Sequence, residues 1–176
     1  DVCSSDLCPS SLIYNWEDEV HKFSKSLSII PVCGSAETRK GIIMSWKNYD
    51  VLVTSYDYIR RDVELYEDID FNYVILDEAQ YIKNQKTKNA VSVKKLKAKH
   101  RLALTGTPIE NSLAELWSIF DFLMPDYLFN YHYFLSHYET DIVKNHDEKK
   151  QNELKKLVTP FILRRNKKEV LKELPD

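Results

Sequence analysis

Between residues 11 and 125, short apolar runs alternate with longer segments whose apolar positions return every three or four residues. Ile13, Trp16, Val20 and Phe23 recur at helical spacing and predict a helix over 11–25, with Ser10 or Ser11 as its N-cap. Residues 27–33 read as a strand, and 38–46 as a short helix with Ile42, Ile43 and Trp46 on one side. Residues 51–54 predict a strand, 57–65 a short helix, and Tyr73-Val74-Ile75-Leu76 a further strand. Such β-branched runs are too short for helices, and their unbroken apolarity suits parallel strands buried on both faces. Residues 86–96 predict a basic helix with Ala90, Val93 and Leu96 inward, and 101–104 a strand. Ser112 and Glu115 have capping-box spacing and open a helix through Leu123, stopped by Pro125. Strands alternating with helices predict an α/β fold, a doubly wound and mainly parallel sheet covered on both faces.

Beyond residue 125 the pattern changes. Tyr127, Phe129, Tyr131, Tyr133, Phe134 and Tyr138 crowd one segment. The expectation is a helical subdomain packing its own rings, with a partner-facing or DNA-facing surface as the other reading. Residues 146–156 read as a charged helix. Asn166 and Glu169 have the spacing of a helix start, and that last helix runs through Leu174. Residues 126–176 therefore form a C-terminal helical extension.

Composition narrows the class. A length of 176 residues suits one domain, and a hydrophobic fraction of 43% is enough to bury a core. No apolar stretch approaches the length of a transmembrane helix, so no membrane partner is expected. Cys3, Cys8 and Cys33 are odd in number and lack metal-ligand spacing, and Cys8 and Cys33 are expected as small core residues. The five histidines form no ligand pattern, and His132 and His137 are placed on a helix surface. Net charge is −2 but uneven: residues 57–80 hold eight acids and two arginines, and residues 81–101 hold eight basic residues and no acid. Residues 144–172 hold ten basic residues against four acids. Locally basic stretches can follow a phosphate backbone. Most of these lysines read instead as solvated helix faces.

The candidate chemistry sits at strand ends. Asp77-Glu78-Ala79-Gln80 directly follows the strand at 73–76, where open α/β sheets place their ligands. Neighbouring side chains on a strand point to opposite faces, and a turn beginning there brings both acids toward one ligand. One acid can then hold Mg²⁺ while the next polarises a water, the division a nucleotide triphosphatase needs. By itself the pair is weak, because many strands end in acids. About 25 residues later the run at 101–104 ends in Thr105-Gly106-Thr107-Pro108-Ile109-Glu110-Asn111. Gly106 permits a tight turn between two hydroxyls that would bond a phosphate-bound water or the carboxylates of the neighbouring strand. Read singly, this too is an ordinary strand-to-helix turn.

Taken together, the two motifs resemble the N-terminal ATPase lobe of the Swi/Snf-type family, DEAD/DEAH-box-like double-stranded-DNA translocases of helicase superfamily two. The DEAQ box at Asp77-Glu78-Ala79-Gln80 resembles the family's Walker B motif, and residues 102–111 its third motif. Cys8-Pro9-Ser10-Ser11-Leu12 with Asn15-Trp16, residues 51–56 with Arg60-Arg61-Asp62, and Phe161-Ile162-Leu163-Arg164-Arg165 with Lys167-Lys168 and Leu174-Pro175 match further motifs in the family's order. The resemblance implies a RecA-like lobe over residues 8–125. It also implies ATP and Mg²⁺ as cofactors and the duplex DNA backbone as partner. A second RecA-like lobe of the same parent chain and protein–DNA complexes as remodelling substrates follow from it as well.

The same resemblance assigns roles. Asp77 would orient Mg²⁺ through water, and Glu78 would activate the attacking water. Gln80, Thr105, Gly106 and Thr107 would couple the phosphate state to lobe movement. Ser10, Ser11, Thr54, Ser55 and Tyr56 would contact DNA phosphates through hydroxyls and backbone amides. Arg164 and Arg165 would contact DNA or the other lobe, with a structural ion pair as the alternative.

Departures from the family pattern carry expectations of their own. Gly34, Gly41 and Gly106 are the only glycines, and none precedes Lys-[Ser/Thr], so no phosphate loop can be written in this chain. The chain therefore reads as an N-terminally truncated lobe that would not hydrolyse ATP alone. Asp1-Val2-Cys3-Ser4-Ser5-Asp6-Leu7 lacks apolar periodicity and reads like an in-frame translation of a sequencing adapter, which makes 1–7 an expected non-native leader outside the fold. The lysine-rich, glycine-poor composition suggests a bacterial, cytoplasmic, nucleoid-associated protein. Against the translocase stands a second class, a non-hydrolysing interaction module that keeps the lobe fold.

Overall fold

The computed structural model describes residues 4–106 and 112–164. Residues up to Tyr131 form one unit and those from His132 onward a second.

The first unit is built on five strands: β1 (Ser4–Cys8), β2 (Ile29–Pro31), β3 (Val51–Ser55), β4 (Asp70–Leu76) and β5 (Lys97–Ala103). Their order is β2-β3-β1-β4-β5 and every pairing is parallel. Five helices connect or follow them: α1 (Ile13–Phe23), α2 (Ala36–Met44), α3 (Tyr56–Asp62), α4 (Lys88–Lys94) and α5 (Leu113–Leu123). The alternation of side chains along parallel strands divides the core in two. Leu7, Leu52, Val74 and Leu76 pack with Ile43 of α2, Ile59 of α3, Val93 of α4 and Phe122 of α5. Cys8, Val51 and Val53 pack on the other face with Ile13 of α1. That second face is thinly covered, and Phe23, expected inward, is 78% exposed.

The sequence reading is corrected at β1. Residues 4–7, expected outside the fold, form most of the sheet's central strand, bonded to both β3 and β4. The backbone ladder is indifferent to side-chain polarity, so Ser4-Ser5-Asp6 can be strand without being apolar. The polarity leaves a mark: Ser5 is fully buried, and its Oγ has no hydrogen-bond partner among the described residues. Ser5→Val removes an unsatisfied hydroxyl and adds a β-branched side chain to a central strand. It is expected to stabilise the fold by about 1–2 kcal/mol, read as a higher denaturation midpoint. A lower midpoint would mean that the hydroxyl is satisfied in solution.

Caps differ from expectation where the chain turns differently. Neither Ser10 nor Ser11 caps α1, because the chain enters it through a 3₁₀ turn, Ser10–Leu12, closed by Leu12 N–H on Pro9 O. Ser35, Ser55, Thr87 and Ser112 do cap their helices with side-chain oxygens. Glu115, which capping-box spacing would turn back to Ser112, pairs instead with Lys83 at 3.3 Å. A buried bidentate pair joins α2 to α3: Arg39 donates to Asp62 from Nε (2.5 Å) and Nη2 (3.0 Å). Its Nη1 donates to Gly34 O at 2.7 Å, and the guanidinium lies 4.5 Å from the Tyr58 ring centre. The Asp62 hydrogen bond raises the Arg39 pKa further above its ordinary value.

The second unit is helical, as expected of the extension. A short α6 (Tyr131–Phe134) begins just before it and runs into a π-helix over Leu135–Lys144, followed by α7 (Glu148–Val158) capped by Asp147. The rings of Phe134 and Tyr138, both buried, lie 5.3 Å apart, and Tyr138 donates to Glu153 at 2.9 Å. Burial first, and that bond second, push the Tyr138 phenol up to about 12. His137, expected on the surface, is half-buried with Lys150 Nζ 2.6 Å from its Nε2. The helix expected after Asn166 lies outside the described residues.

Candidate active site

Parallel register brings the functional strand ends level. Leu7 pairs with both Thr54 and Leu76, and Leu76 pairs with Ala103, so β1, β3, β4 and β5 all finish at one end of the sheet. Asp77 leaves β4 there, its N–H donating to Leu7 O at 2.7 Å, while Leu104 N–H donates to Leu76 O at 2.7 Å. The expected turn follows at once. Glu78 is left-handed (φ 52°, ψ 53°), and Ala79 N–H then donates to Leu104 O at 2.8 Å. A non-glycine residue held left-handed costs roughly 1–2 kcal/mol, and such strain gathers where a side chain must be aimed.

Both oxygens of the Asp77 carboxylate are held. Oδ1 accepts the Glu78 N–H at 2.9 Å, and Oδ2 accepts the Trp16 indole N–H at 3.0 Å. Glu78 Oε2 accepts from Gln80 Nε2 at 2.6 Å, and Gln80 Oε1 accepts the Thr105 hydroxyl at 3.0 Å. The two sequence motifs thus meet in one chain of hydrogen bonds, Glu78 to Gln80 to Thr105. Tyr56 supports the same turn from below: its buried hydroxyl donates to Asp77 O at 2.7 Å, and its ring stacks on Tyr81 at 5.1 Å. Burial, then the charge of Asp77, push the Tyr56 phenol well above its ordinary range, which keeps it a donor.

The remaining expected site residues divide. Ser10 and Ser11 are exposed at the end of β1. Thr54, Ser55 and Tyr56, expected at DNA phosphates through hydroxyls and backbone amides, are buried with their hydroxyls bound inside the protein. Thr54 donates to Val32 O at 3.1 Å, Ser55 caps α3, and Tyr56 is bound to Asp77. Alternation in a strand cannot distinguish a hydroxyl turned toward a ligand from one turned into a helix cap. Gly106 is exposed and has no positive φ, and among the described residues a Cβ there would meet nothing within 4 Å. Arg164 is exposed in the second unit. Thr107 and Arg165 lie outside the described residues.

Trp16 and Tyr56 are the residues the sequence reading placed in other roles, Trp16 in a helix face and Tyr56 against DNA. Trp16 also lines an apolar groove of about 520 Å³ with Leu12, Val20, Phe23 and Leu27, and Asp77 is among its lining residues.

The chemistry of the site suits a magnesium–nucleotide complex. Mg²⁺ takes one or two carboxylates together with substrate phosphates and keeps several waters. Each Asp77 oxygen accepts one N–H in this structure, which leaves lone pairs for such a water. Among the described residues no group of three or more His, Cys, Asp or Glu could hold a metal by itself.

Known proteins fix the family. The model of the SNF2-related domain matches residues 7–176. A TATA-binding protein-associated factor of Arabidopsis thaliana is 42% identical over 97% of this chain, which covers 9% of that protein. An uncharacterized ATP-dependent helicase of Mycoplasma genitalium is 43% identical over 96% of the chain, which covers 16% of it. The solved SWI2/SNF2 ATPase core of Sulfolobus solfataricus in complex with dsDNA superposes with a TM-score of 0.88 at 40% identity, over 99% of this chain and 36% of that one. The expected RecA-like α/β fold is the fold of that core. The expectation of a bacterial, nucleoid-associated protein is overturned, since a plant TATA-binding protein-associated factor matches about as well as a bacterial helicase. Charge composition speaks to solubility and non-specific binding and does not identify the source of a chain. By the match along nearly its whole length, this chain belongs to the SNF2-related family.

Proposed function

We propose that the full-length protein carrying this chain is an ATP-driven double-stranded-DNA translocase that remodels protein–DNA complexes, and that this chain is part of its first lobe. The observation that carries the reading is the hydrogen-bonded chain from Glu78 through Gln80 to Thr105, which joins the two motifs at one end of the sheet. Similarity to an ATPase core solved on dsDNA supports the partner.

Asp77 would hold Mg²⁺, and Thr105, Gly106 and Thr107 would face the phosphates of ATP. Bound Mg²⁺ supplies charge neutralisation at the phosphates. Glu78 accepts a proton from water, and its strained backbone turns the carboxylate toward Gln80. Gln80, bonded to both Glu78 and Thr105, senses any movement of the Thr105 turn. Ser10 and Ser11 meet a DNA phosphate at the exposed end of β1, a contact that reads backbone and not sequence. Arg164 and Arg165 contact DNA or the second lobe.

Translocation without strand separation has a direct test. On a duplex carrying a third strand in its major groove, the full-length protein with ATP is expected to displace the third strand and leave the duplex paired. Displacement without ATP, or none with it, would favour a non-hydrolysing interaction module.

A further inference from the structure

Two aromatic side chains from separate elements grip Asp77. Trp16 lies on α1, which follows the exposed Ser10 and Ser11 turn, and donates its indole N–H to Asp77 Oδ2 at 3.0 Å. Tyr56 opens α3 directly after Ser55 and donates to Asp77 O at 2.7 Å. Sixty-one residues separate Trp16 from Asp77, so this bond is tertiary and rests on where α1 packs on the sheet. Oδ1 is held by the neighbouring Glu78 N–H, which belongs to the same turn. Trp16 is therefore the contact that fixes Asp77 Oδ2 from outside its own loop. Trp16 is half-buried on the second face of the sheet, packed with Leu12 and Val20 against the cluster of Cys8, Ile13, Val51 and Val53, apart from the main core.

We infer that Trp16 is a positioning residue for the magnesium–nucleotide site, linking the turn at Ser10 and Ser11 to the Asp77 carboxylate. The inference rests on the proposed function and assigns it a residue. A phosphate seated on Ser10 and Ser11 would order the start of α1, and the indole N–H would then hold Asp77 Oδ2 in the orientation that receives a metal-bound water. Linkage requires the reverse as well, so metal and nucleotide bound at Asp77 would tighten the grip on duplex DNA by the same factor.

The test uses the full-length protein with Trp16→Phe, which keeps an aromatic ring in the groove and removes the N–H donor together with part of the fused ring. Mn²⁺ affinity in the presence of a non-hydrolysable ATP analogue is measured by electron paramagnetic resonance, with and without duplex. Loss of an orienting partner of a metal-binding carboxylate weakens metal binding by about tenfold. Trp16→Phe is expected to show that loss, and duplex should no longer raise Mn²⁺ affinity as it does in the parent. Where Trp16→Phe does not melt cooperatively, Trp16→Met carries the same test. Unchanged Mn²⁺ affinity in a cooperatively folded variant, whatever its melting temperature, would make Trp16 a packing residue and overturn the inference. A parent protein that binds no metal–nucleotide at all would overturn the proposed function itself, and the inference with it.

Discussion

Glu78→Gln in the full-length protein is expected to lower duplex-stimulated ATP turnover by about a thousandfold, the middle of the range for loss of a general base. ATP binding should stay within about twofold, because Gln is isosteric and its amide oxygen can still accept from Gln80 Nε2, now 2.6 Å from Glu78 Oε2. The left-handed backbone at Glu78 is a property of the turn, anchored by Asp77 N–H on Leu7 O and Ala79 N–H on Leu104 O, and does not depend on the carboxylate. Turnover and binding should therefore separate cleanly. Retained turnover would remove Glu78 from the base role. Turnover and binding lost together would point to a collapsed turn.

The second large effect lies away from the chemistry. Arg39 is 4% exposed and Asp62 is 9% exposed, and Arg39→Ala leaves a carboxylate buried without its partner. Breaking such a pair costs about 3–5 kcal/mol. For a domain of this size that lowers the melting temperature by roughly 6 to 20 °C. Replacing both, as Arg39→Met with Asp62→Leu, removes the unpaired charge and should recover most of the loss. Failure of the double variant to recover would show that the Arg39 bond to Gly34 O, 2.7 Å long, and its packing on Tyr58 matter more than the charge pair. Gly34 has φ 92°, so the loop after β2 needs both that glycine and an anchor for its carbonyl.

Much of the fold is legible in the sequence because its strands are short apolar runs. Val51–Ser55 and Asp70–Leu76 contain the runs expected, lengthened by a residue or more, while Lys97–Ala103 starts four residues before the expected run and stops one residue short of its end. What fails does so for physical reasons. The central strand at Ser4–Cys8 is half polar, and hydrogen bonding from both sides puts it where side-chain pattern alone would not. The Leu135–Lys144 π-helix has the same apolar content as an α-helix, and one extra residue per turn is invisible to a helical-spacing argument. The pairing of Arg39 with Asp62 carries no sequence signal, because only tertiary packing brings the two charges together and buries them.

The meeting of the two motifs was legible in the sequence, and their supports were not. Asp77, Glu78, Gln80 and Thr105 are brought together much as their spacing suggests, because consecutive strand ends of a parallel sheet share one edge. The roles of Trp16 and Tyr56 depend on contacts across 61 and 21 residues, which no local pattern encodes. The family resemblance sets Thr54 and Ser55 at a DNA phosphate. The chain uses them for a carbonyl bond and a helix cap.

Steady-state ATP hydrolysis by the full-length protein, with and without duplex DNA, tests the central claim most directly. The account predicts slow hydrolysis alone and strong stimulation by duplex, lost in Glu78→Gln. No hydrolysis under either condition, in a cooperatively folded protein, would contradict it and leave Asp77 and Glu78 as structural acids of an interaction module.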